Sequence, residues 1–99
     1  MDNDFRVRLL LSLQVALLGN ISANMRAVTC RLEGSDIKVR AMFDGAVSEE
    51  DSATVDEIGS ELASHFDHEM VDVECLRVDA PQPISTSNDE LIAYRRKEA

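Results

Sequence analysis

The chain has 99 residues, a formal net charge of −9 and a pI near 4.5. That length is one domain, residues 1–99, with one modest core. The charge argues against nucleic acid and anionic membrane as partners, since both are polyanions. Hydrophobic residues make up 44% of the chain but aromatics only 4%, so the core is expected to be aliphatic. Two cysteines, Cys30 and Cys75, are too few for a secreted disulfide scaffold and read as reduced thiols in the cytoplasm. No apolar run approaches the roughly 20 residues that span a bilayer. Leu9–Leu18 is a poor signal-peptide core, because Ser12 and Gln14 interrupt it and Asp2 and Asp4 precede it.

In chain order, Asn3 or Asp4 can cap a first helix that runs to Leu18, with Gly19 as its stop. Its apolar residues, among them Val7, Leu9, Leu11, Leu13, Val15 and Leu18, surround the axis instead of forming one stripe. Such a helix is buried on more than one side, within its own core or against a partner. A homodimer through this helix is therefore one expectation.

Met25–Leu32 and Ile37–Phe43 alternate, with Val28, Cys30 and Leu32 facing as Ile37, Val39, Ala41 and Phe43 do. The short segment Glu33-Gly34-Ser35-Asp36 between them predicts a hairpin. A second helix begins after Asp44-Gly45. Ser48 is its N-cap, and Asp51 takes the place of the usual Glu in a capping box. Val55, Ile58, Leu62 and Phe66 form its inward stripe, with Gly59 beside it for close packing on a sheet. Met70–Val78 predicts a third strand, which Pro81 and Pro83 end. Leu91–Tyr94 fits a short fourth strand or a helical turn, before the basic tail Arg95-Arg96-Lys97. The expected fold is α+β: a three- to four-stranded, mostly antiparallel sheet with both helices on one face.

Charge is segregated. Ala41–Leu76 contains no Lys or Arg and eleven acids: Asp44, Glu49, Glu50, Asp51, Asp56, Glu57, Glu61, Asp67, Glu69, Asp72 and Glu74. The remaining eight acids and ten bases nearly cancel. A solvated helix face would look the same; the functional alternative is an electronegative surface that attracts a basic protein. His65 and His68 have the spacing of a helical metal chelate but lack a third ligand, so no metal is expected. Cys30 and Cys75 fall on inward faces by parity, and would approach one another if their strands were neighbours. No phosphate-binding glycine loop, nucleophile elbow, zinc-protease or calcium-loop pattern occurs. Neither an enzyme nor a cofactor is expected.

Several segments resemble small bacterial immunity proteins of contact-dependent growth inhibition and related polymorphic toxin systems. They are Ala16-Leu17-Leu18-Gly19-Asn20-Ile21, Arg26-Ala27-Val28, Phe43 to Asp51, Leu76 to Pro81 and Tyr94 to Glu98. The resemblance implies a cytoplasmic protein that binds the C-terminal domain of a cognate toxin and neutralises it. Many such toxins are nucleases with basic substrate grooves, which an acidic surface would suit.

Overall fold

The computed structural model describes residues 1–98. The elements are α1 (Asn3–Leu17), β1 (Met25–Glu33), β2 (Asp36–Phe43), α2 (Glu49–Ala63), β3 (Met70–Arg77) and β4 (Leu91–Arg95). The sheet order is β3-β2-β1-β4. The β1/β2 and β1/β4 pairs are antiparallel and β2/β3 is parallel, so the α+β fold has a mixed sheet. The parallel pair follows from the crossover: α2 carries the chain back to the start of the sheet before β3 begins.

Both helices pack on one face. Leu9, Leu13, Ala16 and Leu17 of α1 meet Val55, Ile58 and Leu62 of α2 above Val28, Cys30, Ile37, Val39 and Ala41 of the sheet. The Phe5 and Phe66 rings lie 5.5 Å apart, and the Arg8 guanidinium sits 4.5 Å above Phe66, closing the seam between the helices.

Local chemistry sets the boundaries. Asp2 caps α1 by accepting from Phe5 N at 2.9 Å, one residue before Asn3 and two before Asp4, the expected caps. The helix stops at Leu17, with Gly19 at φ +78°. The hairpin turns on Gly34 at φ +62° followed by Ser35, the glycine-first pattern of a II′ turn. Ser48 and Asp51 form the expected reciprocal box at α2. Leu91–Arg95 is a strand, not a helical turn.

The second face of the sheet is also covered. Ala27, Thr29 and Met42, which point away from the helices, are buried. β3 and β4 lie at opposite edges, so the connection between them crosses this face. Arg40 donates to Ser85 O at 2.9 Å and forms a two-pronged pair with Glu90 at 2.6 and 2.7 Å. Thr29 also donates to Glu90. Burial pushes the Glu90 carboxyl up, but the Arg40, Thr29 and Ser87 N–H donors outweigh it and hold Glu90 below the usual range.

Candidate partner-binding surface

The eleven acids of the base-free stretch divide by element. Ser48 starts α2 so that Glu49 and Glu50 stand exposed in its first turn, where the helix dipole favours them. Asp56, Glu57 and Glu61 are exposed on its outer side, because the 3.6-residue period commits Val55, Ile58 and Leu62 to the core. Asp67 is exposed and Glu69 half-buried in the connection to β3. Asp72 and Glu74 are exposed on β3 but point away from the helices, on the opposite face of the sheet from Val71 and Val73.

Three of the eleven are engaged within the chain. Asp51 is only 8% exposed; it accepts from Asn24 Nδ2 at 3.0 Å and Ser48 N at 3.1 Å, which lowers its pKa. Asp44 accepts from Arg96 and from Ala80 N, both at 3.2 Å. Asp72 pairs with Lys38. By contrast, Glu49, Glu50, Asp56, Glu57, Asp67, Glu69 and Glu74 make no ion pair among the described residues, and Glu61 approaches only His65, at 3.7 Å.

The other candidates separate. His65 and His68 lie beyond the end of α2, and no group of three metal-ligating side chains forms among the described residues. Cys30 and Cys75 both face the helices, but β2 intervenes: Cys30 pairs with Val39 and Cys75 with Ala41. Their strands are two spacings, about 9.6 Å, apart, beyond the reach of a disulfide.

Two further features come from the fold. One is an exposed apolar stripe along α1 and its C-cap, Val7, Leu11, Val15 and Leu18, of which Leu11 is 63% and Leu18 77% exposed. The sequence shows an over-apolar helix but not which side stays uncovered. The other is a shallow groove of about 300 Å³ between α2 and β3, lined by Asp56, Gly59, Ser60, Ala63, Val71 and Val73. It exists because α2 sits close to the strand: a Cβ on Gly59 would lie 2.6 Å from Val73 Cγ1. A larger groove of about 690 Å³ opens on the other face, among Arg31, Lys38, Arg40, Asp72, Glu74 and Glu90. Its cations are already paired, Arg31 with Glu33, Lys38 with Asp72 and Arg40 with Glu90.

The arrangement offers unpaired carboxylates and apolar side chains to a partner. The profile of the MafI2 immunity proteins matches residues 6–98, nearly the whole chain. The chain belongs to the MafI2 immunity protein family. The segments that resemble immunity proteins in the sequence all fall within the match or meet it. No curated protein is significantly similar to the sequence. Immunity is therefore the function of this MafI2-family chain, and a cognate toxin is the kind of partner its family implies. No helix is long and apolar enough to cross a membrane among the described residues.

Proposed function

We propose that this MafI2-family protein neutralises its toxin by stoichiometric, non-enzymatic binding in the cytoplasm, with the acidic outer side of α2 as a main contact. The observation that carries this reading is the set of exposed carboxylates without ion pairs, Glu49, Glu50, Asp56 and Glu57, in a stretch free of bases. Unpaired charge of one sign steers a complementary partner and sharpens specificity. The complementary partner is a toxin domain with a basic groove, as a nuclease has, and the carboxylates occupy the place of substrate phosphates.

Co-expression with the C-terminal domain of the protein encoded immediately upstream tests the reading. Rescue of growth together with co-purification at a fixed ratio supports it. Continued growth arrest with no complex overturns it for that toxin.

The α1 stripe favours a second reading, self-association through Val7, Leu11, Val15 and Leu18. Sedimentation across a dilution series separates the two: a dimer that Leu11→Lys dissolves supports self-association through α1, and a monomer at all concentrations removes it.

A further inference from the structure

The two edges of the sheet differ in a way that bears on partner binding. The β4 edge is short: its five residues carry a register shift against β1, and α1 occupies one of its carbonyls, where Gln14 Nε2 donates to Ala93 O at 2.6 Å. Shortness, irregularity, coverage and edge charge are the usual means of blunting an edge strand. Of these the β3 edge has only charge, Asp72 and Glu74, which deters a like-charged edge but not a basic segment. Met70–Arg77 is eight residues long and pairs with β2 in unbroken register. On its outer side, no backbone amide or carbonyl of β3 has a hydrogen-bond partner among the described residues.

The two flanks of this edge suit two different kinds of side chain. On the helix side, Val71 and Val73 are only half-buried and floor the groove beside Gly59 and Ala63, with Asp56 at its rim. On the other side, Asp72 and Glu74 are exposed, and Glu74 makes no ion pair among the described residues. A strand added here would alternate between an apolar groove and a row of carboxylates.

We propose that the open edge of β3 takes an extended segment of the toxin by strand addition, one that alternates apolar and basic side chains. The proposal rests on the toxin being the partner. Backbone hydrogen bonds would supply much of the affinity, while the groove and the acids would select the segment. A second copy of this chain does not fit the edge. It would set Asp72 and Glu74 against their own like charges, on molecules of net charge −9.

Residue-resolved amide exchange tests the proposal, with the toxin domain encoded upstream as the probe. In the free protein the outward amides of Met70–Arg77 exchange readily. In the complex they slow by about tenfold or more, as amides do when they enter a ladder. Glu74→Lys, on an exposed side chain, weakens binding roughly tenfold or more at low salt by setting like charges across the contact. A complex that forms with β3 amides unchanged and tolerates Glu74→Lys overturns strand addition and leaves toxin binding intact. Failure of any complex to form removes both. Protection of β3 that rises with the protein's own concentration, without toxin, overturns the cationic occupant in favour of a second copy.

Discussion

Arg26 and Glu98, 72 residues apart, form a two-pronged ion pair at 2.8 Å on each arm. The remaining Nη1 of Arg26 donates to Val78 O at 2.6 Å and Gln82 O at 2.9 Å. One buried guanidinium therefore ties the C-terminal tail and the start of the β3–β4 connection to β1. Arg26→Ala leaves a buried cradle of acceptors unpaired, and is expected to lower Tm well beyond the effect of Arg31→Ala. Among the described residues Arg31 pairs only with Glu33, two residues away and exposed. Thermal melts of the two variants check the ranking.

Acid stability follows from the same pair. The Arg26 hydrogen bonds, aided by Arg96 against the cost of burial, hold the Glu98 carboxyl at about 2, from an ordinary 4.5. A carboxylate lowered on folding contributes stability that is fully present above its unfolded pKa and lost as pH falls through its folded one. The loss from Glu98 therefore begins below about pH 4.5 and continues toward pH 2. Asp51 and Glu90 are lowered as well and act in the same direction. Urea titrations from pH 7 to pH 2.5 should show a falling midpoint on the acid side. Glu98→Gln should flatten that fall; an unaltered slope would contradict the assignment.

Gly59 and Val73 make a second testable pair. A Cβ at Gly59 meets Val73 Cγ1 at 2.6 Å, and a valine side chain has few ways to yield. Gly59→Ala gains about 1 kcal/mol in helix propensity. Overpacking costs about 1–3 kcal/mol and is expected to win. Val73→Ala in the same chain should recover part of the loss, and a double-mutant cycle measures the coupling. Additive effects would show that α2 moves freely away from the strand.

Thiol labelling reads the fold from within. Burial pushes Cys30 up to about 12, and also raises half-buried Cys75. Cys75 should therefore alkylate slowly at pH 8 and Cys30 only on unfolding. Mild oxidation should yield no internal disulfide by mass spectrometry, since β2 separates the two.

Reversing charge on α2 examines the partner surface. Glu57→Lys combined with Glu61→Lys should weaken toxin binding more at low salt than at high salt. Both side chains are exposed, so thermal stability should change little, and the variant's Tm serves as the control for folding. Unchanged affinity and protection would take α2 out of the interface.

The hairpin, the α2 stripe and its capping box were legible in the sequence because each is a local pattern: period two, period 3.6, a cap and its third residue. The acidic stretch was legible too, and so was its division, since period-two alternation puts Asp72 and Glu74 across β3 from Val71, Val73 and Cys75; which of the acids are engaged within the chain was not, because Asn24, Lys38 and Arg96 reach them from distant segments. Arg26 gave no signal of burial, because its partners lie 52 to 72 residues away. Nor did the second covered face: the residues that cover it, Ser85, Ser87 and Glu90, read as a polar loop. Whether the cysteines adjoin was not legible, because it turns on strand order, and a parallel crossover set β2 between their strands.

That crossover has a consequence for how such a protein diversifies. The β2–α2–β3 unit, Asp36–Arg77, is one uninterrupted run of chain, and it holds both the carboxylate-bearing helix and the open strand edge. The same run also supplies much of the core, Ile37, Val39, Ile58 and Leu62 among it, and two of the braces, Arg40 on Glu90 and Asp44 on Arg96. Only its outward positions, Glu49, Glu50, Asp56, Glu57 and Glu74, are exposed and without ion pairs among the described residues. A new toxin can therefore be met by drift at a few codons of one contiguous stretch, while the inward codons between them stay fixed by packing.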